Sequence, residues 1–444
     1  MTKGGYGESC KKSTMETKVK EKKKTKKGKK ALKVIAIILA VIVVLGCVSM
    51  AVTAIANKAN AEKVNSFPAV EYENQLVPEK DENGFWTFTT DREFKVLQLT
   101  DVHIGAGWMS KKTDAMALNA VASMISAEKP DLVVITGDTA YPVPFQAGTF
   151  NNLSSAELFA ALMEKLGVYW VICFGNHDTE AYSYYSREDI SKFYEKEEFK
   201  YCLFESGDEA VDGYGNQVIN VKNSDGVITQ SLYMFDSHSY INGDVLGLRW
   251  QYDNIHANQI EWYKNTVNAL NEQNQKVLDK LGSSEKSDIK SAAFFHIPLD
   301  EQREAWYEYA NNGFKDTENV KLVYGVAGEG SKIVYSGVGE DELFETMLEL
   351  GSTKAVFVGH DHYNNFSVDY KGIRLTYGMS VDYLAYPGIY KIGSQRGCTV
   401  INFAPDGSFE CNSESYYQEK YESFYDKESV EMQEITQVAP PSEN

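Results

Sequence analysis

Cysteine is scarce in this chain: six residues in 444, at spacings that form no zinc pattern. Cys173 lies inside an apolar run and reads as a small buried hydrophobe, whereas Cys398 and Cys411 are placed to close a link across a hairpin in an oxidising compartment. Positive charge is the second shortage. Residues 1–33 hold 13 Lys against 3 Glu, a net of +10, so residues 34–444 must carry −29 to give the overall −19. Binding to a phosphate backbone needs clustered cations, and no bulk nucleic-acid binding is expected from such a region. Phosphate chemistry here would have to draw its positive charge from something other than side chains. No internal repeat is visible, and the length suits one catalytic fold with insertions as well as two or three domains.

Charge is missing altogether from Val34–Ala56, a run of 23 residues. As a helix it is long enough for a hydrocarbon core of roughly 30 Å, so it reads as a transmembrane anchor. The Lys-rich flank in front of it should stay in the cytoplasm, which places the remainder outside a single-pass cell-membrane protein. Two processing signals compete with an uncleaved anchor. Ala54-Ile55-Ala56 fits a signal-peptidase site, which would yield a secreted protein, and Val44-Leu45-Gly46-Cys47 resembles a lipobox, although apolar residues continue past Cys47. Polar residues 57–83, with Pro68 and Pro78, read as a linker, and the acidic stretch 417–444 reads as a disordered tail.

Between them, residues 84–416 alternate strand-like and helix-like patterns, which indicates an α/β protein with a mixed sheet. Phe85–Thr89 and Phe94–Thr100 look like paired strands. QVINVK and TQSLYMFD flank the turn NSDG and form a hairpin pattern. Helices are expected near Thr113–Glu128, Ser155–Leu166, Ala257–Gln275 and Glu340–Leu350; residues 301–339 show no clear period and read as an insertion.

What stands at the ends of the apolar runs carries the chemistry. LQLT leads to Asp101 and His103, LVVIT to Gly137-Asp138, WVICF to Gly175-Asn176-His177-Asp178, SAAFF to His296, and AVFV to Gly359-His360-Asp361-His362. Five of the seven histidines fall at such ends. Open α/β sheets place their sites outside the carboxyl ends of strands, so residues spread along the chain can converge there. In an extended segment His360 and His362 share one face. His238 and His256 read as structural or surface residues, and Tyr182, Tyr184, Tyr185, Trp306 and Tyr309 as packing aromatics rather than a substrate wall.

In order and spelling, the blocks DVH, GD, GNHD, FFH and GHDH resemble the calcineurin-like metallophosphoesterases over roughly residues 90–416. HIPL after the lone histidine and the Gln259-x-x-Trp262 of QIEW look like the purple-acid-phosphatase-like branch. The resemblance implies a sandwich of two mixed β-sheets flanked by helices, with a two-metal centre. One ion would be held by Asp101, His103, Asp138 and His362, the other by Asp138, Asn176, His296 and His360. Mn, Fe, Zn or Ni would suit these donors. A hydroxide bridging the ions would attack a small phosphorylated substrate in line. His177 would serve as proton donor, with Asp178 orienting its ring. The implied activity is phosphomonoester hydrolysis, with phosphodiesterase or nucleotide pyrophosphatase action as the alternative and a silent binding scaffold as the non-enzyme reading. Tyr141 stands where purple acid phosphatases place an iron-binding tyrosine, but His103 is expected to be the ligand here.

Overall fold

The computed structural model describes all residues except 1–6, 245–246, 331, 340, 393–394, 432, 434–436 and 441–444. Met1–Ala54 form one unit and Ile55–Asn444 a second. The first consists of the greater part of helix α1 (Gly7–Ser66). Within Lys29–Ser66 that helix is long and apolar enough to cross a membrane, by length and composition alone, a test that a signal sequence also passes.

In the second unit the apolar runs become strands of two sheets. A nine-stranded sheet takes, in spatial order, β1 (Glu79–Lys80), β2 (Trp86–Thr89), β6 (Gln217–Lys222), β7 (Ile228–Met234), β8 (Lys290–Phe294), β10 (Thr353–Val358), β12 (Ile373–Tyr377), β11 (Ser367–Tyr370) and β9 (Val320–Tyr324). The six-stranded sheet follows the order β14 (Phe409–Glu410), β13 (Gly397–Phe403), β3 (Phe94–Leu99), β4 (Leu132–Thr136) and β5 (Trp170–Cys173), with β15 (Ser415–Tyr416) paired to β13. Both sheets are mixed. β3, β4 and β5 run parallel, as do β7, β8, β10 and β12, while β6 turns back on β7 and β13 lies antiparallel to β3.

Residues of the central strands are buried on both faces, and their alternation sorts them into separate layers. Val96 and Val134 join Phe88, Leu232, Phe294 and Phe357 between the sheets. Leu97 and Ile135 point the other way, into the layer holding Leu118 and Val121 of α2 (Lys111–Glu128) and Phe159 of α3 (Asn152–Leu166). Across the nine-stranded sheet, Tyr263 and Leu270 of α5 (Ala257–Lys280), Trp306 of α6 (Asp300–Asn311) and Phe344 of α7 (Leu343–Leu350) form the third layer. The shorter helices are α4 (Arg187–Tyr194) and α8 (Tyr417–Lys420).

Several expectations are corrected. Phe85–Thr89 and Phe94–Thr100 do not pair; they lie in different sheets, and their phenyl rings meet across the core with Phe88 and Phe94 centroids 4.9 Å apart. The insertion near 301–339 contains α6 and β9, because Ala305, Trp306, Tyr309 and Ala310 share one buried helix face. Part of the expected linker is core: Val64 and Phe67 are buried, and Phe67 packs on Phe424 and Tyr425 at 5.5 and 5.6 Å. The acidic tail is correspondingly held at its start, where Tyr417 and Tyr421 are buried despite the charged residues between them; residues 432, 434–436 and 441–444 lie outside the described residues. Glu340, in the last expected helix, also lies outside them. Cys398 and Cys411 are free thiols facing opposite layers, one 3.3 Å from Tyr421 Oη and the other 3.2 Å from Tyr324 Oη, so no link joins them.

Candidate metal centre

The site forms where the carboxyl ends of parallel strands from both sheets meet. β3 delivers Asp101 and His103, β4 delivers Asp138, β5 delivers Asn176 and His177, β8 delivers His296, and β10 delivers His360 and His362. Beyond each strand the backbone has to turn sharply to aim the side chain inward. Asp101, His103, Asp138 and His360 accordingly have φ of 50°, 53°, 52° and 78°, a left-handed conformation that residues with a Cβ adopt only when the surroundings hold them there. Gly359 is required for a different reason: a Cβ there would collide with the Thr100 hydroxyl and come within 2.9 Å of Asp101 Oδ2. That close approach lets the His360 N–H donate to the Asp101 carboxylate at 3.2 Å.

Two groups of ligand-type atoms result, and Asp138 belongs to both. Asp101, His103, Asp138 and His362 lie with one ligand atom each within 4.8 Å of one another, and so do Asp138, His296 and His360. Asn176 Oδ1 joins the second group, 3.2 Å from His296 Nε2. The shared atom is Asp138 Oδ2, 3.4 Å from His103 Nε2 and 3.1 Å from His296 Nε2, because Oδ1 is taken by the His177 N–H at 2.8 Å. His362 Nε2 faces Asp101 Oδ1 at 3.2 Å, and His360 turns Nδ1 toward His296 Nε2 at 3.3 Å.

The donor set fits divalent ions. Two inward nitrogens are freed by what their opposite nitrogens contact: His296 Nδ1 donates to the Thr136 carbonyl at 2.8 Å, and His362 Nδ1 to Asp382 Oδ2 at 3.1 Å. Burial opposes charge on Asp101 and Asp138, yet His362 and His296 respectively hold both carboxyls below their ordinary range. His296 in turn is pushed up to about 9, burial being outweighed by Asp138. Buried carboxylates here demand positive charge, and imidazole protons supply it until ions replace them.

Around the cluster the structure differs from the sequence reading at one point and adds to it at two. Asp178 does not touch the His177 ring. Its carboxylate accepts the backbone N–H groups of Asp138, Ala140 and Gly175 at 3.0, 2.9 and 2.8 Å, so it braces the two ligand loops instead. The ring is held by Glu180, whose Oε1 lies 2.8 Å from His177 Nδ1. Glu180 also accepts from Tyr240 Oη at 3.0 Å, which itself accepts from Asn176 Nδ2 at 3.0 Å. The second addition is Asp382, which follows β12. Besides His362 it faces His103 Nδ1 at 3.4 Å, and although burial opposes it, the two imidazoles hold its carboxyl well below the usual range. Glu180 carries a weak signal, three residues after His177; Asp382, in SVDYLAY, carries none.

The remaining singled-out residues lie elsewhere. Tyr141 stacks on the His103 ring at 4.6 Å and gives its hydroxyl to Gln146 Oε1 at 3.0 Å. His238, Asp253 and His256 also approach one another within 4.8 Å. Their nitrogens are engaged, however: His238 Nε2 with Gln259 at 2.9 Å, and His256 with Asp212 and Asp253 at 2.8 and 3.3 Å. Trp306 and Tyr309 are core residues, and Tyr184 is exposed against Phe150. A cleft of about 590 Å3, counting its open mouth, lies over the cluster and is lined by Asp138, His177, His360 and His362 among others.

Two packed mixed sheets with a buried Asp/His cluster that could hold metal ions at their shared strand ends define a two-sheet α/β protein with a candidate metal centre. Comparison with known proteins gives the family. The chain belongs to the calcineurin-like phosphoesterases, whose family model matches residues 94–364. Its relatives are purple-acid-phosphatase-like. It is 29% identical over 326 residues, 67% of this chain and 73% of the relative, to "Probable inactive purple acid phosphatase 28" of Arabidopsis thaliana. It is 27% identical over 297 residues, 63% of this chain and 45% of the relative, to "Phosphatase DCR2" of Saccharomyces cerevisiae. Among solved structures, a purple acid phosphatase PPD1 from yellow lupin seeds is 12% identical and covers 77% of this chain and 58% of its own, with a TM-score of 0.36 that carries no further argument.

Proposed function

We propose that the protein is a metal-dependent phosphoric ester hydrolase, acting first on phosphomonoesters, with Asp101, His103, Asp138 and His362 holding one ion and Asp138, Asn176, His296 and His360 the other. The observation that carries this reading is the single oxygen, Asp138 Oδ2, placed between two otherwise complete ligand groups. These residues would hold two ions, which would supply Lewis-acid charge for activating water. His177, whose side chain is 25% exposed and lines the cleft, keeps Nδ1 on Glu180 and so offers Nε2 to a leaving oxygen. Glu180 fixes that ring, and Asp178 keeps the loops of Asp138 and Asn176 in register. The family model and the phosphatase names of the relatives support ester hydrolysis. The word "inactive" in the names of the plant relatives favours a second reading, a binding scaffold without turnover.

The same proposal places residues 34–56 in the cell membrane as an uncleaved anchor, with the Lys-rich tail inside and the hydrolase outside. Protein loaded with Mn, Fe, Zn or Ni, assayed on a phosphomonoester and a phosphodiester chromogen side by side, tests the activity. Faster monoester turnover is expected. Faster diester turnover would favour the phosphodiesterase alternative, and full metal content without turnover of either would establish the scaffold.

A further inference from the structure

The cleft over the cluster is walled by rings and contains no Lys or Arg among its described lining residues. Tyr252 stands edge-on to His360 at 4.2 Å, Tyr386 edge-on to His362 at 4.4 Å, and Trp250 edge-on to Tyr335 at 6.3 Å. Trp250 is 60% exposed, so most of its indole is left to water. Beyond its edge contact with Tyr335, the exposed part of this ring is a flat apolar surface open to the cleft.

The indole is also held in place. Trp250 has a φ of 52°, a left-handed conformation unusual for a bulky residue and retained only where neighbours impose it. The imposing group is Asp244, a buried carboxylate that accepts the N–H groups of both neighbours in sequence, Arg249 at 3.1 Å and Gln251 at 3.1 Å. Below it the loop is closed by the Tyr240–Tyr252 bridge, whose rings stack at 5.4 Å. Tyr240 in turn reaches Asn176, so the loop that presents the indole rests on the candidate centre itself.

Charge narrows what can lie there. Outside the ligand groups and His177, the remaining titratable lining side chains with a carboxyl group are Glu329 and Asp361, and neither a Lys nor an Arg stands among the described lining residues. A single phosphate can rest on the ions, but a second phosphate would find no cation among the described lining residues.

We propose that the cleft selects esters of a single phosphate with an uncharged aromatic alcohol, whose ring lies against Trp250. The proposal rests on the phosphoester reading above and goes beyond it by naming the leaving group. Polyphosphates are disfavoured because the described lining offers no cation for a second phosphate. Asp244 acts as a positioning residue for the indole.

The test uses the metal-loaded full chain with benzyl and cyclohexylmethyl compounds, which are close in size and in alcohol acidity and differ chiefly in flatness. Two readouts are taken: kcat/KM on the two phosphates, and calorimetric binding of the two phosphonates, which needs no turnover. Benzyl should be favoured about tenfold in both, the scale of one ring stacked on an exposed indole. Trp250→Ala should bring both ratios close to one, and Asp244→Ala should lower them part of the way. Pyrophosphate should bind no more tightly than phosphate. Ratios near one in the unchanged protein, ratios unmoved by Trp250→Ala, or a preference for pyrophosphate would each overturn the proposal. Selective phosphonate binding without hydrolysis of any ester would sink the hydrolase reading and leave the ring platform standing. Equal turnover of both esters would do the reverse.

Discussion

Asp382→Asn separates the two groups of ligands. Both imidazoles of the first group lean on this one carboxylate, His362 at 3.1 Å and His103 at 3.4 Å, whereas His296 of the second leans on the Thr136 carbonyl at 2.8 Å. Asp382 also accepts the backbone N–H groups of Leu384 and Ala385 through Oδ1, both at 2.8 Å, and of Tyr386 through Oδ2 at 2.6 Å. An amide keeps the shape, but its NH2 must then face a backbone N–H or an imidazole N–H. Facing the imidazole, it drives the ring proton to Nε2 and removes the lone pair an ion would need. Loss of such a support costs about 10–100-fold in metal affinity, or about 1.4–2.7 kcal/mol at 1.36 kcal/mol per tenfold. Two dependent imidazoles place the first ion near the upper figure. The second ion, supported elsewhere, should be held nearly as before. Metal content measured after dialysis against graded chelator should therefore fall from two ions to one at concentrations where the unchanged protein keeps both. Equal loss of both ions, or loss of neither, would refute the reasoning.

Asn176→Ala should lose bound metal and activity together, whereas His177→Ala should keep both ions and slow turnover by roughly 10²–10⁴-fold, the usual share of a general acid; metal analysis of an inactive His177→Ala protein showing an empty site would reassign His177 as a ligand. Iron-loaded protein should be colourless, and Tyr141→Phe should retain most activity, since the Tyr141 hydroxyl is given to Gln146. A visible charge-transfer band abolished by that substitution would put the phenolate on iron. Protease added outside intact cells should remove residues 57–444 and spare the Lys-rich tail; a catalytic unit digested only after lysis would reverse the orientation.

The candidate ligands were legible because each sits within a few residues of an apolar strand, and all but the lone His296 stand close to a glycine or another ligand, so strand end and chemistry coincide in one short string. GHDH is the clearest case: Gly359 passes close to Asp101, while His360 and His362 fall one into each group. Asp382 had no such neighbours, and its value comes from β12 lying parallel beside β10, a pairing that no local string encodes. Adjacency misled at Asp178, where the residue next to His177 braces backbone and Glu180 takes the ring. Sheet membership was equally hidden. Phe88 and Phe94 suit a hairpin by pattern, and only packing sends their strands to opposite sheets. The rings of the cleft come from separate loops, Trp250 and Tyr252 from one, Tyr335 and Tyr386 from two others, with no periodicity to announce them.

The seat of β3 between β4 and β13 has a consequence for when the site comes into being. The pairing joins Val96 to Ile401, so the strand that delivers Asp101 keeps one bare edge until nearly the whole chain has been synthesised. Contacts of such long sequence separation form late and slowly. A chain ending at residue 364, where the family match stops, would contain every candidate ligand and still lack both that edge strand and Asp382. On the proposed function, ion capture would thus belong to the finished polypeptide rather than to the growing one. On the proposed topology, with the chain threaded across a membrane before it folds, the ions taken up would be those available on the far side, and the metal found in the protein would report that compartment's supply rather than the cytoplasm's.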